Sequence, residues 1–224
     1  MLRAGAALCL LERQAPESAI AFDQGTPVIG IVDYGAGNLR SVENALAKLG
    51  ADFQVVREPS DLGRSEKILF PGVGHFGQMM TALEKSGLAA GLGKRIRDGA
   101  PYFGICLGLQ ALFERSAEAP SIPGLGILPG SIERFGEGAR VPHMGWHDID
   151  VVRPSPLLPG LTNVSHFYFA HSFYVPVCAE TTATCDYSTR FVAALQRENI
   201  FGVQFHPEKS GEVGLEVLRR FVEL

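Results

Sequence analysis

The chain has 224 residues, of which 46% are hydrophobic and 20% are charged, so it can bury a sizeable core as one large domain or two small ones. Its net charge of -4 argues against nucleic acid as the main partner, because such proteins usually carry an excess of basic residues. Its four cysteines form neither a disulfide framework nor a CxxC pair of the kind that binds zinc. No apolar run approaches the roughly 20 residues of a membrane span. We therefore expect a cytoplasmic enzyme or binding protein without a membrane or nucleic-acid partner.

The first 26 residues differ from the rest. Residues 1–11 combine Arg3 with a short apolar run, a weak match to a signal peptide, and residues 12–27 are polar and irregular. We predict a disordered extension or an upstream misassigned start over residues 1–26, with a targeting signal as the alternative. The folded domain is expected to cover residues 27–224.

The next segments alternate between short apolar runs and helical periodicity. Strands are predicted over 28–32, 53–56 and 67–70, and a helix over 39–49 that stops at Gly50. Such alternation indicates βαβ units and a parallel sheet covered on both faces. The Gly35-Ala36-Gly37 turn suggests a phosphate cradle, but it lacks a third glycine and an acidic residue after the second strand, which disfavours dinucleotide binding.

A nucleophile elbow is predicted at Cys106. A helical region over 76–98, broken near Gly87, leads to a strand over 101–105 that ends at this cysteine, and a helix-like segment follows. Gly104 and Gly108 suit the sharp turn because a Cβ at either place would crowd it. A helix N-terminus favours the thiolate form. The alternative is a buried core cysteine beside packing glycines.

After residue 120 the sequence becomes rich in glycine, proline and short alternating segments. It predicts an aromatic strand over 167–175, an antiparallel pair over 181–187 and 191–196, a strand from Phe201, and a closing helix over 213–224. The whole is expected to be one α/β domain whose mostly parallel sheet becomes mixed in the second half. Ligand chemistry should lie at the carboxyl ends of the strands.

His206 and Glu208 supply what a cysteine nucleophile requires. They follow the apolar run from Phe201 and lie two residues apart, so that on a strand both side chains point the same way, while Pro207 ends the strand. A cysteine needs a base to take its proton, and the base needs a group that holds its tautomer. Cys106, His206 and Glu208 are therefore predicted to form a catalytic triad.

Two segments that carry this triad resemble the class I (triad-type) glutamine amidotransferases. They are Gly-Ile-Cys-Leu-Gly-Leu-Gln over 104–110 and Gln-Phe-His-Pro-Glu-Lys-Ser over 204–210. The segments 33–39, 71–76 and 141–146 narrow the resemblance to the glutaminase subunits of imidazole glycerol phosphate synthase, since most other branches carry Pro-Gly-Gly-x-Ser where this chain has Pro-Gly-Val-Gly. The resemblance covers about residues 27–224; His147 departs from it, because the family more often has Asn there.

The resemblance implies a flavodoxin-like three-layer sandwich and hydrolysis of glutamine to glutamate and ammonia, with no cofactor and no metal. The implied roles fall into three sets: oxyanion donors at Gly74 and Leu107, with Gly74 in the Pro71–Gly74 loop; glutamine contacts at Gln110, Glu118 and Ser172; and positions near a partner at Asn38, His143, Trp146 and Lys209. Because glycine tolerates positive φ, we hypothesise that the oxyanion hole is misformed at rest and completes when the partner binds. A simple tight turn is the alternative.

The resemblance also implies a heterodimer in which ammonia passes through a channel to a (β/α)₈-barrel cyclase subunit. That subunit would use the ammonia to form imidazole glycerol phosphate and an aminoimidazole carboxamide ribonucleotide in histidine biosynthesis. Three rivals stay open at this point: the amidotransferase of another synthase, a cysteine peptidase of the same fold, and an inactive scaffold.

Overall fold

The computed structural model describes residues 28–35, 39–158, 160 and 165–224. The predicted extension over 1–26 and the candidate partner residue Asn38 lie outside these ranges. The strands are β1 (Ile29–Val32), β2 (Phe53–Val56), β3 (Lys67–Gly72), β4 (Tyr102–Cys106), β5 (Phe113–Ser116), β6 (Leu128–Arg134), β7 (His143–Asp148), β8 (Asp150–Val151), β9 (His166–His171), β10 (Phe173–Tyr174), β11 (Thr181–Asp186), β12 (Arg190–Arg197) and β13 (Ile200–Val203). The helices are α1 (Leu39–Lys48), α2 (Pro59–Leu62), α3 (Phe76–Ser86), α4 (Leu88–Arg97), α5 (Leu107–Gln110) and α6 (Gly211–Glu223).

An eight-stranded sheet forms the centre of the fold, in the order β2-β1-β3-β4-β13-β12-β11-β8. The pairs from β2 to β13 are parallel, and the pairs from β13 to β8 are antiparallel. One face packs against α1 and α6, and the other against α3 and α4. The predicted three-layer α/β sandwich with a mixed, mostly parallel sheet is therefore confirmed.

The strand register puts the two candidate catalytic segments side by side. β4 and β13 are parallel neighbours, with Gly104 opposite Gly202 and Ile105 opposite Val203. The carboxyl ends of parallel strands meet at one edge of a sheet, so the residues after β4 and after β13 share that edge. Strand β3 ends beside them, where Gly72 pairs with Cys106.

One predicted element was wrong in extent. The aromatic strand over 167–175 is two strands, because the chain changes sheets at Ser172: β9 pairs with β7, whereas β10 pairs with β6. The helix-like segment predicted after Cys106 is present as a single helical turn, since the chain enters β5 at Phe113. The break of the helical region at Gly87 is confirmed, with that glycine at φ 75°.

None of the helices within the described ranges combines the length and hydrophobicity that a membrane crossing requires.

Candidate active site

Cys106 ends β4 in a strained conformation, with φ 55° and ψ −107°. A Cβ at Gly104 would lie 2.5 Å from the carbonyl oxygen of Gly108, and a Cβ at Gly108 would lie 1.8 Å from the carbonyl oxygen of Phe70. Only glycine fits at either place, so the reason given for both glycines is confirmed. Because α5 has one turn, its dipole is small, and the N–H groups beside Cys106 matter more than a helix field.

His206 and Glu208 form a buried ion pair next to this turn. The Nδ1 atom of His206 lies 2.8 Å from Oε1 of Glu208, and their side chains are 2% and 5% exposed. Residues 207–209 form a 3₁₀ turn, so the pair meets through that turn and not through strand alternation as predicted. Ser210 secures the turn, since its hydroxyl donates to the His206 carbonyl at 2.7 Å.

The protonation of His206 is coupled to Cys106. Burial by itself lowers the pKa of His206, but the Cys106 charge, its hydrogen bond to the ring and the Glu208 carboxylate together raise that pKa to about 10. The imidazolium form of His206 beside the Cys106 sulfur is therefore favoured at neutral pH. Such a pair holds both a nucleophile and a proton ready for a leaving group.

A pocket of about 250 Å³ opens in front of the sulfur. Most of the predicted site residues line it: Gly74, Cys106, Leu107, Gln110, Glu118, Ser172, His206 and Lys209. The triad acid Glu208 stands behind His206, outside the lining. The structure thus gathers around one pocket residues that are more than one hundred positions apart in the sequence.

The loop after β3 is held by a residue that sequence reasoning did not single out. The Tyr34 hydroxyl accepts a hydrogen bond from the Val73 N–H at 2.9 Å and donates to the Val73 carbonyl at 2.6 Å. Burial and the nearby charge of Cys106 raise the pKa of Tyr34 to about 12, against the opposing effect of its Val73 bond. Gly74 follows with φ 100°. The Val73 N–H is therefore engaged by Tyr34.

Gln110 and Glu118 both line the pocket. The side-chain nitrogen of Gln110 donates to the Phe173 carbonyl at 3.0 Å and to Oε1 of Gln204 at 3.1 Å, whereas its own Oε1 is buried without a partner. Glu118 accepts a hydrogen bond from the Phe76 N–H at 2.7 Å.

Three of the four positions expected near a partner are described, and their surroundings differ. His143 is fully buried: its ring stacks on Tyr187 at 4.1 Å and its Nδ1 lies 3.0 Å from Nε2 of His171. Trp146 is 53% exposed and extends from β7 on the same side as Met144, which is 61% exposed. Lys209 lies at the pocket rim, 6.0 Å from the Tyr168 ring.

Among the described residues, no group of three or more His, Cys, Asp or Glu side chains is arranged to hold a metal ion.

Comparison with known proteins gives a consistent result. The model of the glutamine amidotransferase class-I family matches residues 30–224. The chain is 48% identical to the imidazole glycerol phosphate synthase subunit HisH of Methanothermobacter thermautotrophicus, over 88% of this chain and 98% of that protein. It is 44% identical to the HisH subunit of Moorella thermoacetica, over 88% of this chain and 94% of that one.

A longer relative and a solved structure add to this result. The chloroplastic imidazole glycerol phosphate synthase hisHF of Arabidopsis thaliana is 45% identical over 87% of this chain. The matched segment covers 34% of that longer protein. The structure of PurLQS from Thermotoga maritima matches with a TM-score of 0.71 at 22% identity, covering 89% of this chain and 99% of that chain. At that identity the structural match supports the fold alone.

Proposed function

The chain belongs to the class I glutamine amidotransferases and, among them, to the HisH subunits of imidazole glycerol phosphate synthase, and on that premise we propose that it hydrolyses glutamine and passes the ammonia to a cyclase subunit. The observation that carries this proposal is the buried His206–Glu208 pair beside Cys106 at the elbow. Nucleophile, proton carrier and orienting carboxylate are all present, and they face a pocket that can hold a small amino acid.

The first half of the reaction forms a thioester. The Cys106 thiolate attacks the side-chain amide carbon of glutamine, and the carbonyl oxygen becomes an oxyanion. His206 then donates its proton to the amide nitrogen, and the C–N bond breaks to release ammonia. Glu208 keeps the ring oriented through Nδ1 and stabilises the imidazolium until the proton moves.

The second half restores the enzyme. His206, now neutral, takes a proton from a water molecule that attacks the thioester carbon, so that glutamate leaves with the new oxygen and Cys106 returns to the thiolate. Both tetrahedral intermediates need N–H donors, for which we propose Leu107 and the Gly74 loop. Gln110, Glu118 and Ser172, which line the pocket, would hold the amino-acid end of glutamine.

A partner surface is proposed at the rim of the same pocket. Met144 and Trp146 are large apolar side chains exposed on one side of β7, which is unusual for a surface strand and typical of an interface anchor. Lys209 lies between the pocket and Tyr168. The hisHF relative, in which a segment like this chain belongs to a longer synthase, supports a cyclase as the partner.

The bonds of Tyr34 support the idea that the oxyanion hole is incomplete in the isolated chain. Its hydroxyl engages the Val73 N–H, so this group is not free to bind an oxyanion. Completing the hole would require a peptide rotation in the loop, which Gly74 at φ 100° permits and alanine would hinder. A Gly74→Ala chain that kept full stimulation by the cyclase would contradict this mechanism.

The test of function measures glutamate release from glutamine by the chain alone and with the cyclase subunit and its ribulosyl substrate. We expect low activity alone, an increase of several orders of magnitude in the complex, and its loss in Cys106→Ser. Cys178→Ser is the matched control, because this half-buried cysteine lies outside the pocket and should leave turnover unchanged.

Added ammonium salt separates the remaining readings. If the chain only steadied its partner, neither the wild type nor Cys106→Ser would release glutamate in the complex, and product would form with ammonium alone. If it is the glutaminase, Cys106→Ser abolishes that rate, and ammonium restores product formation without glutamine. Strong glutamate release that ignores the cyclase would indicate the amidotransferase of a different synthase.

A further inference from the structure

A second side chain besides His206 contacts the nucleophilic sulfur. The nitrogen Nε2 of Gln204 lies 3.5 Å from Sγ of Cys106, and Gln204 is completely buried just after β13. Its oxygen accepts a hydrogen bond from Gln110, whose nitrogen also donates to the Phe173 carbonyl. A chain of two amides therefore connects a backbone carbonyl to the sulfur.

The chemistry of this chain fixes which end of Gln204 faces Cys106. The Phe173 carbonyl can only accept, so the nitrogen of Gln110 must be the atom that faces it, at 3.0 Å. The same nitrogen then donates its second hydrogen to Gln204, which must present its oxygen there. The nitrogen of Gln204 is left for the sulfur. The orientation is thus set by the network and not by the shape of the amide.

A buried amide donor is well suited to a sulfur anion. Cysteine sulfur is a weak acceptor as a thiol, but hydrogen bonds to an ionised acceptor are roughly twice as strong as neutral ones. Gln204 can stabilise the anion without exchanging a proton, because an amide does not titrate. It also fixes the position of Sγ independently of the His206 ring, which must move its proton twice in each turnover.

We propose that Gln204 is a positioning residue for the nucleophile, whose side-chain N–H group holds and stabilises the Cys106 thiolate. The proposal rests on the proposed function, since it matters only if Cys106 is the nucleophile. The competing explanation is packing: Gln204 would fill the space behind β4 with its polar ends satisfied. The two explanations differ in what a substitution does to the reactivity of the sulfur.

The test substitutes Gln204→Met, which keeps the length of the side chain and removes both the donor to the sulfur and the acceptor for Gln110. The matched control is Gln54→Met, in which a partly buried glutamine of β2 loses bonds to Ser65 and Asp61 far from the pocket. The rate at which iodoacetamide alkylates Cys106 is measured in the free chain from pH 5 to 9, by mass spectrometry of the peptide that contains this cysteine. This readout needs no glutamine, so it stands even if glutaminase activity fails to appear.

The other groups around the sulfur allow a clear interpretation. The titratable side chains that face it or line the same pocket are Tyr34, Glu118, His171, His206 and Lys209. All of them, and Glu208 behind His206, are unchanged in the variant. Burial raises the pKa of Cys185 to about 12, with neighbouring acidic residues adding to the shift, so that this cysteine should alkylate slowly in all three proteins.

We expect Gln204→Met to raise the pH of half-maximal alkylation by roughly 0.5 to 1 unit, because the thiolate loses one modest hydrogen bond. In the complex, kcat should fall about 3- to 10-fold by the same conversion. Gln54→Met should show neither effect. If the variant fails to fold, Gln204→Asn, which withdraws the amide by one methylene, should give the same shift.

A wild-type alkylation profile in either Gln204 variant, with only a lower melting temperature, would overturn the proposal and leave Gln204 as a packing residue. A shifted profile without any glutamate release would support the contact while refuting the proposed function. The two failures are therefore distinguishable.

Discussion

The buried pair His143 and His171 should make the fold sensitive to acid. Burial lowers the pKa of His143 to about 4 and that of His171 to about 3, and each is further disfavoured as a cation by its histidine neighbours. The Phe173 carbonyl, 2.8 Å from Nδ1 of His171, requires a proton on that nitrogen. Nε2 of His171 then accepts from Nδ1 of His143, and both rings are neutral in the folded chain.

The sign and size of the effect follow from these values. The ordinary pKa is 6.5, so below that pH the unfolded chain takes up protons that the folded chain refuses. The stability from the neutral pair is fully present above pH 6.5 and is lost as pH falls toward 4 and 3. At about 1.4 kcal/mol per pH unit and per histidine, the two together cost roughly 4 kcal/mol at pH 5.

Urea unfolding of the isolated chain at pH 7 and pH 5 measures this loss. We expect the pair to lower the free energy of unfolding by about 4 kcal/mol, a large share of the 5–15 kcal/mol typical of a domain. His206 offsets part of this loss, because its raised pKa stabilises the folded chain more at pH 5 than at pH 7. His143→Phe keeps an aromatic ring against Tyr187 and Phe169 but removes one titrating group. Its loss between the two pH values should be smaller by about 2 kcal/mol, although it starts less stable.

His166→Gln is the control, since His166 is an exposed histidine beside Asp148 and its removal should leave the acid loss as in the wild type. Equal losses in the wild type and His143→Phe would refute the reasoning, because they would show that His143 is not held neutral by the fold.

Three further predictions concern the site. Glu208→Gln should lower kcat/KM for glutamine in the complex by about 10- to 100-fold, because a buried hydrogen bond between charged groups is lost. Glu212→Gln, at an exposed position, is the control and should have no effect. Equal activities of the wild type and Glu208→Gln would exclude Glu208 from the mechanism. Tyr34→Phe frees the Val73 N–H and should raise glutamate release by the isolated chain several-fold; a fall with and without cyclase would instead make the hydroxyl a structural support. Trp146 is the only tryptophan and is half exposed, so its fluorescence should shift to the blue on binding the cyclase, and an unchanged spectrum would place the interface elsewhere.

Much of the central fold could be predicted from local patterns. The strands at Ile29, Phe53, Lys67 and Tyr102 are short apolar runs bounded by turn residues, and α1 has apolar residues at helical spacing. In each of these segments, the order of apolar and polar residues already indicates which side chains are buried. The second half was less predictable: the aromatic run over 167–175 satisfies strand periodicity throughout, and nothing local indicates that the chain leaves one sheet for another at Ser172.

The same distinction separates the predicted site residues from those that were missed. Cys106, His206 and Glu208 carry their chemistry in the residue type and in its immediate neighbours, so they could be named in advance. Tyr34 and Gln204 could not, because a tyrosine in a turn and a glutamine in an apolar run have no special local signal. Their roles come from contacts with Val73 and Cys106, across 39 and 98 residues of sequence.

The sequence by itself determined the elbow at Cys106, the acid–base pair that follows β13 and the alternation that makes a parallel sheet, because turn geometry, side-chain chemistry and periodicity are properties of neighbouring residues. Only the tertiary structure decided that β4 and β13 lie side by side, that His143 is buried, and that two amides in series present an N–H group to the sulfur. The physical reason is that burial and hydrogen-bond direction depend on what packs from the other elements, which no local pattern specifies.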